Sequence, residues 1–218
     1  LRLEKQKVIF KLNYDWQGWN QNNLVFKFNN EDIFVQADIT LLSLGGASWP
    51  KLGSDGSWVK IFKKHDLKTS PLLPSNCGFV VEWSDIFSKR FEGKSLKSVT
   101  LSFNDRKLKG EFVITKNGVE GSSIYALSSF MREDINIKGY TELMLDLKPD
   151  LDFEEIQKRL QKPKSKLTMS NYLRKTLNLS DVAIGLLMEL LGSKKLNNFT
   201  TKEITSSIKF YKLILKKT

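Results

Sequence analysis

The chain has 218 residues, of which 40% are apolar, enough for one large or two small domains with a hydrophobic core. No apolar run approaches the roughly 20 residues that span a bilayer, and no secretory signal begins the chain, so we expect a cytoplasmic protein. A single cysteine, Cys77, and a single histidine, His65, exclude a disulfide framework and the usual zinc sites, and we expect no metal.

The charge of +11 and the pI near 9.6 are compatible with a nucleic-acid partner. The lysines are spread along the chain, however, and they far outnumber the arginines that usually read bases. This distribution favours a solvated surface, so we expect no nucleic-acid partner and no mobility shift with DNA. A basic β-barrel module that binds nucleic acid is the alternative, and a purely structural or interaction domain is a third possibility.

Residues 5–40 alternate between apolar and polar side chains, which predicts a meander of strands with a turn at Asn29 and Asn30. The continuous apolar stretch 39–44 predicts a strand buried on both faces. Ser54 is predicted to cap a helix that begins near Asp55 and ends near Asp66. The alternating positions are Val8, Phe10 and Leu12, then Leu24, Phe26 and Phe28, then Ile33, Val35 and Ala37, and the helix stripe is Trp58, Ile61, Phe62 and His65.

Pro71 and Pro74 predict a boundary near residues 70–75. Residues 71–148 are predicted to be mostly β with short helical interruptions, with strands at 79–83, 98–103, 109–115 and 143–147. Residues 149–210 are predicted to be helical, since Asp152 with Glu155, Asp181, and Thr200 with Glu203 stand at helix starts. Residues 211–215 alternate again as a strand. The predicted fold class is therefore α+β.

The segment from Gly45 to Trp58 lies between the predicted buried strand and the predicted helix. Glycines let a backbone approach a ligand closely, and the N–H groups at a helix start attract negative charge. The phosphate-binding loop and the G-x-G-x-x-G fingerprint are both missing. On spacing alone, a loop that needs glycine for positive φ explains the segment better than a cofactor site does.

Three segments carry a resemblance to a known family. They are Gly45–Gly56 (GGASWPKLGSDG), Pro71–Phe79 (PLLPSNCGF) and Gly110–Ser122 (GEFVITKNGVEGS). In this order they resemble the BaiN-like or aminoacetone-oxidase-like family of bacterial FAD-dependent oxidoreductases. The resemblance implies a Rossmann-like FAD domain interrupted by an insert that contains a small β-barrel and a helical part. It also implies hydride transfer between a small-molecule substrate and FAD, with NAD(P)H as a possible electron donor. The implied cofactor-binding residues are Gly45, Gly46, Ser48, Trp49, Pro50, Gly53, Ser54 and Gly56.

The family's N-terminal glycine fingerprint and its C-terminal Ala-Gly-Gly and Gly-Glu segments do not occur in this sequence, which begins with Leu1. We therefore expect a central fragment that does not retain FAD alone, and the missing segments could be a separate chain. The expected domains are residues 1–70 as a partial Rossmann-like FAD-domain remnant, 71–148 as the β-barrel-like part, 149–210 as the helical part, and 211–218 as a strand that returns to the FAD domain.

Glu120, between Gly118 and Gly121 at a predicted β-to-α junction, is the candidate catalytic carboxylate, and all three residues are substrate-side candidates. A solvated turn is the alternative. Commoner family members have His, Ser and Pro where this chain has Lys116, Glu120 and Ser122, so the substrate is not implied. His65 and Cys77 are expected to pack structurally. Of the five tryptophans, only Trp49 lies within the motif Gly45–Gly56, and it is expected to stack on a ring.

Overall fold

A computed structural model describes residues 2–164, 166–192 and 198–216. The chain divides into two compact units, Leu1–Leu73 and Pro74–Thr218. Within the described residues, no helix is both long enough and apolar enough to span a membrane.

The first unit begins with a short helix, α1 (Arg2–Lys5), followed by a three-stranded antiparallel sheet in the order β1-β2-β3. The strands are β1 (Asp15–Asn20), β2 (Asn23–Phe28) and β3 (Glu31–Val35). The predicted turn at Asn29 and Asn30 is confirmed, because both residues have positive φ (50° and 67°) and join two paired strands. Positive φ at both central positions matches the right-handed twist of a two-residue hairpin.

Two strands predicted in this unit are wrong. Residues 8–12 are exposed and form no strand, and β1 begins only at Asp15. Residues 39–44 are also irregular, with Ile39 90% and Leu41 88% exposed. Their backbone groups pair with no other backbone group of the described chain. An apolar run favours burial, but a strand also needs a neighbouring strand, and the described residues offer none. The described sheet has only antiparallel pairs, so the Rossmann-like remnant is not confirmed.

The helix of the first unit, α2 (Trp58–Lys64), begins three residues later than predicted, and its predicted cap is wrong. The N-cap residue is Ser57, and no side chain caps the helix. Asp55 forms a turn just before it, since its Oδ1 accepts the backbone N–H of Ser57 at 2.9 Å. The predicted apolar stripe is confirmed on the face toward β1. The Phe62 ring lies 6.0 Å from Trp19, and His65 lies 5.1 Å from Trp19.

The second unit is built on a six-stranded antiparallel sheet in the order β4-β7-β6-β5-β8-β9. The sheet curls until its two edge strands meet, because an antiparallel bridge joins Val80 to Lys216. The predicted strands at 98–103, 109–115 and 143–147 are confirmed with shifted ends, whereas the strand predicted at 79–83 has only two residues. The strands are β4 (Phe79–Val80), β5 (Ser95–Phe103), β6 (Arg106–Thr115), β7 (Gly118–Glu120), β8 (Thr141–Asp146) and β9 (Tyr211–Leu215).

Six helices of the second unit are described. The predicted helix starts at Asp152 and Thr200 are confirmed, since each side chain accepts the N–H of the residue three positions on. The cap of the helix near Asp181 is Ser180. The six helices are α3 (Asp85–Phe91), α4 (Ser122–Lys138), α5 (Phe153–Leu160), α6 (Met169–Leu177), α7 (Asp181–Leu191) and α8 (Thr201–Lys209).

Helix α4 is much longer than the short helical interruptions expected between residues 71 and 148. Its 17 residues pack against β5, β6, β7 and β8. Ile124 and Met131 on its inner face are fully buried. The helix therefore supplies much of the core of the curled sheet.

The final strand is a correction to the expected domain organisation. Tyr211–Leu215 pairs with β8, with Leu213 opposite Leu143, and therefore belongs to the sheet of the second unit. We expected residues 211–218 to return to the FAD-domain remnant. Alternate residues of β9, including Leu215, are buried in the barrel core, which explains the pairing. Lys217 and Thr218 lie outside the described residues.

Candidate functional site

The glycine segment forms a tight turn in the first unit. Trp49 and Ser54 face each other as an antiparallel bridge, with both N···O distances at 3.1 Å. A single 3-10 turn, Pro50–Leu52, connects the two bridged residues, and Gly53 ends this turn with φ of 85°. All eight residues predicted to bind the cofactor lie in this turn or within four residues of it.

The four glycines of this segment differ in what surrounds them. Gly45, Gly53 and Gly56 have positive φ, which side chains rarely adopt. A Cβ on Gly56 would also lie 3.0 Å from the Cβ of Ala47. Gly46 has no positive φ, and a Cβ there would meet no described atom within 4 Å. The local fold therefore explains three of the glycines and leaves Gly46 without a structural reason.

The exposed side of the turn carries apolar groups. Trp49 is 67% exposed and Leu52 is 81% exposed. Ser48 and Pro50 are exposed beside them. The indole Nε1 of Trp58 donates to the carbonyl of Gly45 at 3.1 Å, which anchors the turn to α2. The turn thus exposes its backbone and the indole of Trp49 to solvent, and a hydrogen bond holds it against α2.

The start of α2 does not offer the free anion site that the sequence suggested. The Asp55 carboxylate already accepts an N–H there, and that bond from Ser57 holds the pKa of the carboxyl below its usual range. The helix is only seven residues long. A phosphate would meet a negative charge at this position.

The second motif lies in the second unit, where β6, β7 and the start of α4 meet. A Cβ on Gly118 would overlap the carbonyl oxygen of Phe79, and Gly121 has φ of 116° with the Phe112 Cα 3.3 Å from its would-be Cβ. The Oγ of Ser123 accepts the Glu111 N–H at 3.0 Å. Backbone packing therefore accounts for both predicted substrate-side glycines.

Glu120 ends β7 opposite Val113, and its side chain is exposed. Its carboxylate has no hydrogen bond or ion pair with any part of the chain that the structure describes. The group is therefore available to a ligand, in a position set by β7 and by the Gly121 turn. The predicted β-to-α junction is present.

The two residues expected to pack structurally differ in burial, since His65 is exposed and Cys77 is half-buried. His65 lies against Trp19 at the end of α2. Cys77 is half-buried, and burial raises the pKa of its thiol. Nearby, Ser128 and Arg132 of α4 donate to the backbone carbonyls of Ser75 and Pro74.

One group of residues was missed at the level of sequence. Lys97, Lys109 and Lys148 line an open cavity of about 390 Å³ on the second unit, together with Ser180. They belong to different elements, so no spacing in the sequence brings them together. Only the pairing of β5 with β6 could have indicated that Lys97 and Lys109 are near each other.

A comparison with protein families decides where this fold belongs. The family model described as "HI0933-like protein barrel and H2TH domain" matches residues 73–218, about two thirds of the chain. The chain belongs to the HI0933-like family.

This HI0933-like match covers the curled sheet and the helices of the second unit. The family is related to the BaiN-like flavoproteins that the sequence resembles, and it is associated with FAD-binding flavoproteins. The glycine segment lies before the matched residues. Its assignment to a flavin therefore depends on the sequence resemblance and on the geometry of the turn.

Proposed function

We propose that this chain is part of a cytoplasmic FAD-dependent oxidoreductase that passes a hydride between a small-molecule substrate and the flavin. The observation that carries the proposal is the HI0933-like match across the second unit, in a family associated with FAD-binding flavoproteins. The glycine segment of the first unit supports it. FAD would supply the redox chemistry, and the protein would bind and orient it.

Gly46 is the residue on which the proposed flavin contact chiefly depends. It has no positive φ and no described neighbour that a side chain would displace. Close approach of a ligand to the backbone is then the remaining physical reason for a glycine at this position. Trp49 is well placed to cover a flat ring, because its indole is exposed next to this backbone.

The described residues fit only part of an FAD site. The turn offers open backbone and an indole, but the Asp55 carboxylate occupies the only helix start in this segment. Other residues would therefore bind the pyrophosphate. In dinucleotide-binding folds, a glycine-rich helix start has this role. We propose that segments outside these 218 residues, in the same chain or a separate one, supply that part.

Glu120 is our candidate for contact with the substrate or the flavin edge. Its carboxylate is exposed and without a partner in the described chain, whereas Gly118 and Gly121 beside it are explained by packing. A carboxylate at this position could accept a proton or bind a donor group of the substrate. NAD(P)H is the proposed electron donor.

The flavin content of two proteins tests the proposal. The 218-residue chain should be colourless after purification and should show no saturable change in flavin fluorescence up to about 10 µM FAD, because one loop cannot offset the cost of immobilising the ligand. The same chain joined to the flanking coding sequence should be yellow. In that longer protein, Gly46→Val should abolish flavin binding and Glu120→Gln should lower turnover while flavin stays bound. The proposal would be overturned if the longer protein contained no flavin, or if its flavin content were unchanged by Gly46→Val.

A further inference from the structure

The lysines that line the cavity on the second unit come from three separate segments. Lys97 lies in the irregular part of β5, between Leu96 and Val99, where the pairing with β6 shifts register. Lys109 lies on β6, and Lys148 follows β8. All three face one concave surface with Ser180, the cap of α7.

Further basic residues border the same surface next to Ser180. Arg174 donates to the carboxylate of Asp181 at 2.5 Å, and this bond is the main cause of the lowered pKa of Asp181. The charges of Arg90 and Lys94 act on the same carboxylate. Arg90, on α3, and Lys94, immediately before β5, therefore lie within electrostatic range of Asp181, which follows the cavity residue Ser180. We call this surface the basic patch, and it consists of Arg90, Lys94, Lys97, Lys109, Lys148 and Arg174.

Most of the positive charge of the basic patch is not neutralised. Lys148 pairs with Asp150 at 3.1 Å, and Arg174 pairs with Asp181. The other four cations have no carboxylate within 4.0 Å among residues 2–164, 166–192 and 198–216. They are also exposed to solvent. The surface therefore concentrates positive charge that a polyanion could neutralise.

We propose that the basic patch binds the phosphate backbone of a nucleic acid. A concave surface rich in lysine fits a line of phosphates, because lysine acts as a point charge and does not read base edges. Of the three apolar residues that line the cavity, Leu147 and Leu179 are buried at 4% and 3% exposure, and Pro149 is half-buried. The patch therefore has no apolar anchor for a membrane, and we expect binding without sequence preference.

This inference reverses the expectation drawn from the sequence. Lysines that are scattered along the chain indicate a solvated surface when only their spacing is considered. The fold brings Arg90, Lys94, Lys97 and Lys109 to one surface, where none of them forms an ion pair within the described residues. Two carboxylates, Asp150 and Asp181, lie on the same surface, and each is already paired with Lys148 or Arg174. The inference is independent of the flavin assignment, because it concerns charges that the flavin proposal does not use.

Fluorescence anisotropy with a labelled 20-nucleotide single strand and the matching duplex tests the proposal on the 218-residue chain. We expect a Kd of about 1–10 µM at 50 mM NaCl and a loss of at least roughly tenfold at 200 mM, since two or more released counterions give that slope. The double variant Lys97→Glu with Lys109→Glu should bind at least about tenfold more weakly. The matched control is Lys158→Glu with Lys202→Glu, which changes the net charge equally at exposed sites on α5 and α8.

The control should bind within about threefold of the wild type. Circular dichroism at 222 nm should show that both double variants remain folded. Absence of binding at 100 µM protein would overturn the proposal, and so would an equal loss in the two double variants, which would assign the affinity to net charge alone. Flavin content would not change either conclusion.

Discussion

The backbone N–H of Lys216 donates to the carbonyl oxygen of Val80 at 2.8 Å, and this bond joins the two edge strands of the six-stranded sheet. The side chain of Lys216 forms a separate ion pair with Glu82 at 2.6 Å. The backbone bond closes the sheet, whereas the ion pair lies at the surface. These two contributions can be separated by substitution.

Lys216→Pro should therefore destabilise the chain more than Lys216→Ala. Proline removes the donor of the closing bond, which should lower the free energy of unfolding by about 1–2 kcal/mol. Alanine keeps the N–H and loses only an exposed ion pair, worth less than about 1 kcal/mol. Urea unfolding followed by circular dichroism would measure both values. Equal losses would mean that the closing bond contributes nothing beyond the side chain.

Lys209 fastens the loop after β8 to the end of α8. Its ammonium lies 2.6 Å from Oδ2 of Asp146 and 2.7 Å from the carbonyl of Leu151, and both charged side chains are largely buried. Lys209→Met should lower the free energy of unfolding by about 3 kcal/mol, because it leaves the Asp146 carboxylate buried without its partner.

Lys212 provides the matched control for that prediction. It pairs with Glu142 at 2.8 Å, but both side chains are about half exposed. Lys212→Met should cost less than about 1 kcal/mol in urea unfolding. A loss at Lys209 no larger than the loss at Lys212 would contradict the buried role of the first pair.

Tyr211 gives a pH dependence with a definite sign. Burial, with a smaller contribution from Glu189, raises the pKa of its phenol, and the residue is only 3% exposed. The unfolded state ionises near pH 10, so the stabilisation is complete below that pH. It is lost as the pH rises toward the folded-state pKa, by up to about 1.4 kcal/mol per unit.

Tyr211→Phe should therefore lose less free energy of unfolding than the wild type between pH 9 and pH 11. Urea unfolding at the two pH values would measure the difference for each protein. Tyr140→Phe, at an exposed tyrosine, is the control and should keep the wild-type difference. A Tyr211→Phe protein that loses as much stability as the wild type would refute the assignment.

The sequence correctly predicted features that depend only on neighbouring residues, such as helix caps. The caps at Asp152 and Thr200 need only residues three positions away, and both are present. Residues 39–44 show the opposite case. Their apolar run favours burial, but a strand also needs a partner strand, which local sequence patterns do not reveal. Helix α4 was missed for a similar reason, since its length depends on packing against four strands.

The candidate site could be predicted only in part. Sequence identified the glycine segment and its exposed Trp49, because glycine and tryptophan carry recognisable chemistry. It could not separate glycines that the fold requires from those that it does not, because that depends on which atoms approach each Cα. Gly118 faces the backbone of Phe79, whereas Gly46 faces no described atom.

The last prediction compares these two glycines in the 218-residue chain. Gly118→Ala should be severe, since its Cβ would overlap the Phe79 carbonyl oxygen and force β4 away from β7. We expect a loss of about 2–4 kcal/mol, which lowers the melting temperature by roughly 5–15 °C in a chain of this size.

Gly46→Ala should leave the melting temperature within about 2 °C of the wild type, because its Cβ points into open space and its φ is not positive. Differential scanning calorimetry would measure both variants under identical conditions. A large loss at Gly46 would reveal a structural reason for that glycine and remove the main support for flavin contact there. An unchanged melting temperature of Gly46→Ala, together with loss of flavin from the Gly46→Val form of the longer protein, would show that a ligand approaches this backbone.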